Sequence, residues 1–440
     1  MFLKANTIFS KPLNIFFCWL MTLLLCLTAG CSTTQFQSSS DRKNASEQPE
    51  NSFLNENTAP AVDPIYSVQL HPVSRPNSGP IIELNSSDQL QLTFESIGFE
   101  SRSYQYYFTH HNPDGSESGL SEDQFLEGFS KSNLSGGTVS RSSRPYYRQF
   151  SVQFPNRELK FKVSGYYMLH VEDSDSGDLL FSTPFFVFEN EGDIRSSAET
   201  IQTPRQQLRT MHRLTGHYLL PDFVDQPQFD LSFYFVQNQF WGRALSADEL
   251  DFSDPDEVRF ETSSEETFPG DYEFRILNLN NISKIRSSAL EIKETDDVTK
   301  LTLFDDAEGF TDPVTAGTPS VFGASTSLNS IYLNVEFRLD ADIEPDDESD
   351  LYLVGDFNQW SVDDKHRLRY DSEMDRWVTK AMMKEGTYRY KYVLVENGVI
   401  DDLRFDTLFQ NVRQEYHAFV YFRDFNEYYT RLLQVNTFYH

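Results

Sequence analysis

The chain has 440 residues, enough for about three domains at ~150 residues each, and carries a net charge of −30. A surface this acidic repels nucleic acid and anionic lipid headgroups, so both are excluded as partners recruited by charge. Aromatic residues make up 15% of the chain, with 38 Phe and 22 Tyr, and these are residues that suit half-buried strands.

Lys4 and Lys11 are the only charged residues of the first thirty, and an apolar run, Ile15–Leu27, follows them. The run has the length of a signal-peptide core and falls short of the ~20 residues that span a bilayer. Leu27–Cys31 reads LTAGC. It resembles the bacterial lipobox, which implies cleavage between Gly30 and Cys31 and acylation of Cys31. Two further acyl chains besides the N-acyl group exceed the two-signal minimum for stable anchoring. Cys18 and Cys26 leave with residues 1–30, so the mature chain is expected to have no free thiol, no disulfide and no cysteine ligand. Residues 31–62 are polar and cannot fold alone. They are expected to form a flexible tether with a reach of ~5–6 Å × √n. In Bacteroidota-type lipoproteins, acids just after the cysteine mark export to the cell surface. Here the first acid is Asp41, which implies the periplasmic side of the outer membrane.

From Pro64 onward the apolar period is two. Gln89–Phe94, Ser103–His110, Phe229–Gln237 and Ile331–Leu339 read as strands, separated by turn signals such as NPDG at Asn112 and ENG at Glu396. Ser121–Ser130 predicts one short helix capped by Ser121. A turn glycine followed by apolar residues two apart recurs at Gly165/Tyr167, Gly270/Tyr272 and Gly386/Tyr388, at spacings of 105 and 116 residues. One such word per immunoglobulin-like sandwich, with the tyrosine tying strand to loop, predicts an all-β chain of about three tandem sandwiches. The polar run after Phe188 and the Gly/Pro/Thr-rich Thr311–Ser325 set the expected boundaries at 63–189, 190–325 and 326–440. The acidic loop Asp340–Asp350 lacks the glycine and closing glutamate of a calcium loop and reads as solvated.

No catalytic constellation emerges. His110 and His111 flank a turn, and His212 and His217 stand five apart, without an HExxH pair or a mature cysteine to make a metal site. There is no GxSxG elbow and no phosphate-cradling or dinucleotide loop. The protein is therefore expected to be non-enzymatic, with no cofactor and no metal.

Two resemblances carry function. Ile81–Ile97, Tyr104–Gly115, Ser121–Ser130 and above all Pro145–Asp175 (PYYRQFSVQFPNRELKFKVSGYYMLHVEDSD) resemble the type IX secretion system plug proteins of Bacteroidota. Gln237–Leu245 and the later glycine words follow in family order, over roughly residues 64–440. Where family members often have Cys-Asp-x-x-Trp, this chain has HHNPDG. The resemblance implies a protein that closes the periplasmic mouth of the outer-membrane translocon β-barrel while it is idle. The second resemblance is in LYLVGDFNQW, Leu351–Trp360, which is similar to the opening of glycogen-binding, early-set sandwich modules. There a Trp stacks on sugar, a Lys bonds a hydroxyl, and a second Trp completes the platform. Trp360 and Lys391 match the first two positions, whereas Val399 and Ile400 stand where the second Trp would be. No sugar is expected to bind. Trp360 is expected to pack on the sandwich edge and Trp377 to fill the core. The alternative reading is a glycan- or peptide-binding lipoprotein of an outer-membrane uptake system.

Overall fold

The computed structural model describes residues 53–440 except 56, 135, 143, 203–208, 264–265, 281–284, 286–288, 310–321, 345–348, 408–411 and 425–426. Gly30, Cys31, the signal sequence and most of the tether lie outside the described residues. So do most of Thr311–Ser325 and the centre of Asp340–Asp350.

The protein is all-β. In the first sandwich, strands 65–72, 90–97, 147–154 and 138–139 form one sheet, and 81–83, 179–188, 165–173, 104–111 and 131–134 form the other. Alternation drives the packing. Tyr104, Tyr106 and Phe108 point inward from one strand and Leu90, Leu92 and Phe94 from another, all buried in one core. Phe94 sits opposite Phe150 in register, and their rings stack at 5.2 Å. The helix is a single turn, Glu122–Phe125, with the Ser121 N–H donating to Gln124 Oε1 at 2.8 Å. Strand 165–173 is buried on both faces. Tyr167, Leu169 and Val171 enter the first core, whereas Tyr166 and Met168 pack outward on Phe419, Tyr421 and Leu432.

The other two sandwiches do not follow the expected division at 325/326. Strands 193–201, 211–219, 257–261 and 249–251 make one sheet of the second sandwich. Its partner sheet is 245–246, 231–237, 415–422 and 431–439. The last two strands of the chain therefore complete the second core, where Tyr416, Ala418 and Val420 meet Phe233, Phe235 and Phe260. The third sandwich lies between these parts in sequence. It pairs 275–278, 386–396, 323–324, 349–355 and 399–401 against 289–293, 299–303, 332–340, 376–384 and 369–371. Composition shifts mark loops, not strand partners, so a sequence boundary could not reveal an insertion.

The recurring glycine word explains the difference. Tyr167 OH donates to the Val163 carbonyl and Tyr388 OH to the Lys384 carbonyl, each at 2.7 Å and four residues back. These are two equivalent strand-to-loop ties. Tyr272 OH instead donates to Asp402 Oδ2 at 2.5 Å. Phe268–Pro269 pairs within the second sandwich and Arg275–Asn278 within the third. The Gly270 word thus carries the chain from one sandwich into the next.

The end of the expected tether is not free. Phe53 is 2% exposed, Val62 N–H donates to the Leu180 carbonyl at 3.1 Å, and Ala59 N–H donates to Ser182 Oγ at 2.6 Å. One phenylalanine in a polar run suffices when the rest of the chain builds its pocket, which local composition does not register.

Candidate functional site

The two residues singled out for a sugar platform are placed apart in role. In the turn Gly355–Trp360, Asn358 accepts from Gly355 N–H at 2.9 Å and donates to the Ser361 carbonyl at 3.0 Å. Gln359 and Trp360 then take positive φ, +55° and +60°. The Trp360 indole is half-buried, its N–H on Asp356 Oδ1 at 3.2 Å. Its ring lies 5.1 Å from Phe240 and 5.2 Å from Phe274. Lys391 is 3% exposed and paired with Asp406 at 2.6 Å, its ammonium 3.7 Å from the Tyr272 ring centre. Burial pushes the Asp406 carboxyl up to about 6 against the pull of Lys391. Ile400 is buried as well. A lysine enclosed by a carboxylate and a phenol ring has no face to offer a sugar hydroxyl. Trp377 lies in the third core and donates to the Ile343 carbonyl at 3.3 Å.

What the structure assembles instead is a set of joints between sandwiches. Between first and second, Phe186 meets Phe419 at 4.9 Å and Trp241 at 5.0 Å. Such aromatic contacts contribute ~0.5–1.5 kcal/mol each beyond area burial. Between second and third, Arg243 pairs with Asp402 at 2.6 Å. Burial alone would raise the Asp402 carboxyl, but Arg243 and Lys391 hold it below the usual range. Between first and third, Glu95 accepts from Lys384 and from Tyr332, each at 2.5 Å, and Tyr147 OH donates to the Ser330 carbonyl at 3.0 Å. Glu95, Tyr147, Trp241 and Arg243 fall in the blocks that resemble the plug proteins, but no block announces their partners. A lone Glu95 in a strand and a lone Lys384 before a turn meet only in three dimensions.

Chemically these joints fix geometry. Their charges are paired and enclosed, and among the described residues no group of three or more His, Cys, Asp or Glu could hold a metal ion. No helix of the described residues is long and apolar enough to cross a membrane.

A fold comparison finds a solved structure of the same architecture, a hypothetical protein from Parabacteroides merdae ATCC 43184. It is similar to this chain at TM-score 0.77 and 21% identity, over 87% of this chain and 99% of that one. That likeness shows the fold. No curated protein matches. Residues 65–189, the whole of the first sandwich, match the family model of the Type 9 secretion system plug protein 1st domain. Residues 65–189 are therefore a type 9 secretion system plug protein 1st domain.

Proposed function

We propose that this protein is a non-enzymatic lipoprotein, anchored through Cys31 on the periplasmic side of the outer membrane. There it closes the periplasmic opening of the type IX secretion translocon β-barrel while no cargo is crossing. The observation that carries the reading is the plug-family first domain at residues 65–189. The joints support it, because a steric plug needs bulk and a fixed shape. Three sandwiches locked by buried aromatics and enclosed ion pairs supply both.

The mechanism is a competition. The body docks on the idle barrel and leaves when a loaded carrier engages. Only a difference in affinity between the idle and loaded barrel can drive that exchange. The contact is therefore moderate in area and not obligate. Deleting the gene in a strain that has the translocon makes the outer membrane leaky to large antibiotics, with secretion itself little affected. Tagged idle translocon recovers the protein. Failure to co-purify, with unchanged permeability and impaired growth on a polysaccharide, would reject the plug and favour an uptake role. Separately, Cys31→Ala leaves an unlipidated form, and a wild-type protein found wholly in the soluble fraction without fatty acid would reject the anchor.

A further inference from the structure

Residues 53–55 and 57–62 touch all three sandwiches and belong to none of the described strands, though the Ser182 N–H donates to the Ala59 carbonyl at 2.8 Å and the Val62 N–H to the Leu180 carbonyl at 3.1 Å. The anchor of this segment is Phe53, 2% exposed. The ring meets Phe240 edge-on at 4.9 Å and Trp360 at 5.9 Å, and the Arg243 guanidinium lies 4.0 Å over its centre. The rest is held mostly by its backbone. Gly242 N–H donates to the Phe53 carbonyl at 3.3 Å. Ser182 Oγ takes the Ala59 N–H at 2.6 Å and gives its own proton to the Asn57 carbonyl at 2.9 Å. Gln359 Oε1 takes the Ala61 N–H at 2.9 Å. Asn57 donates its amide to the Gly115 carbonyl. Two glycines make the room: a Cβ at Gly242 would collide with the Leu54 carbonyl, and one at Gly115 with the Asn55 side chain.

Several groups of the receiving surface also have bonds outside the segment. Asp356 holds the Arg389 side chain at 2.9 and 3.1 Å as well as the Trp360 indole N–H. Asn358 pins the turn, and Asp402 holds Arg243. Asn238, Gln239, Gln359 and Trp360, in the two loops that flank Phe53, all have positive φ between 53° and 64°. Non-glycine residues in that region concentrate at ligand clamps, where the surroundings enforce them. Phe53 shares a buried cluster with Phe240, Tyr272 and Phe274, but an extended segment with one aromatic anchor, held otherwise through its backbone, also has the features of peptide recognition. The turn that resembles a sugar-binding loop presents Trp360 to Phe53 and Gln359 to the Ala61 N–H.

We propose that this groove is a peptide-binding site, closed in cis by residues 53–62. Its ligand class is an extended segment with a phenylalanine anchor and free backbone donors at the positions of Ala59 and Ala61. A partner carrying such a segment binds by displacing the strap, which lengthens the connection between residue 31 and the body.

The test uses the full chain. Phe53→Ala with Ala59→Pro and Ala61→Pro removes the anchor and two donors, vacating the groove. A labelled synthetic peptide, Glu50–Asp63, is then titrated by fluorescence anisotropy. The expected result is saturable binding to the variant and none to the wild-type chain, whose groove is filled. A Phe53→Ala peptide binds about 30-fold more weakly, the loss set by one buried phenyl group. Adding Trp360→Ala to the variant weakens binding of the intact peptide. A variant that keeps its cooperative thermal transition and binds no peptide overturns the proposal. So does a variant that loses the transition, because the segment is then part of the core.

Discussion

Glu95 and Lys384 belong to different sandwiches, lie 2.5 Å apart, and are 1% and 0% exposed. Burial pushes Glu95 above the usual carboxylate range and pulls Lys384 below the usual amine range, each against the attraction of its partner. Such a pair contributes little net stability, yet breaking it strands a charge. Glu95→Gln is expected to destabilise the protein by ~3–5 kcal/mol in urea unfolding. Glu95→Leu combined with Lys384→Met should recover most of that loss, since Tyr332 keeps its bond to Ser67 at 2.8 Å. A double variant no more stable than the single would show that the pair stabilises the joint in its own right.

Acid should loosen the fold through buried histidines. Burial holds His110, His170 and His212 down at about 4, against an ordinary value of 6.5. Glu172 pulls His170 up against this burial, while His111 pushes His110 and His170 further down and His440 does the same to His212. His110 is bonded to Ser118 and the Ser164 carbonyl, His170 to Thr109, and His212 to Tyr416. Between pH 4 and 6.5 the unfolded chain binds more protons, so stability is complete above about 6.5 and falls as pH drops toward 4. Each histidine accounts for ~3 kcal/mol over the window. Asp406, raised to about 6 by burial, works the other way, since it protonates more readily when folded. Its share is similar to that of one histidine; Glu95, also raised by burial, opposes in the same sense, and His111, lowered by burial, adds to the loss. Urea midpoints measured from pH 7.5 to 4.5 should fall steadily. His170→Phe, which keeps the stack on Tyr107 at 4.7 Å, should flatten the slope.

Sugar binding should be absent. The intact protein is expected to pass through glycogen or amylose gels without retardation, because Lys391 is enclosed by Asp406 and Tyr272 and Trp360 meets Phe240 and Phe274 edge-on. Retention abolished by Trp360→Ala would reverse this and restore the glycan platform.

Legibility divided along local and non-local lines. Alternation at Tyr104, Tyr106 and Phe108 gave away strands and their inward faces, because side-chain direction is a property of the strand itself. Tyr167 and Tyr388 were readable as loop ties for the same reason. The outward burial of Met168 was not, since it depends on Leu432 and Phe419 arriving more than 250 residues later. Phe53, Glu95 and Lys384 were silent likewise. Each is ordinary in its own segment and acquires meaning only from a distant partner.

The insertion yields the sharpest test. The chain leaves the second sandwich at Pro269 and returns at Gln414. Gln414 Nε2 donates to the Tyr272 carbonyl at 2.8 Å, while Gln237 Nε2 donates to the Pro269 carbonyl at 2.7 Å. Exit and return thus share one point, the geometry of an inserted domain. A fragment 271–407 keeps every strand of the third core, including Leu277, Leu301 and Leu303. It should give a cooperative thermal transition, though at lower temperature than the whole chain because Lys384 loses Glu95. A fragment 326–440 discards those three leucines. It also leaves Tyr416, Val420 and Phe422 without the Phe233, Phe235 and Phe260 they pack on. It should be insoluble or lack a cooperative transition. In the whole chain, truncation after Arg413 should unfold the second sandwich, seen as lost amide protection in 211–219 and 231–237, while 332–340 and 386–396 remain protected. If 326–440 folds and 271–407 does not, the strand pairing of 231–237 with 415–422 is wrong.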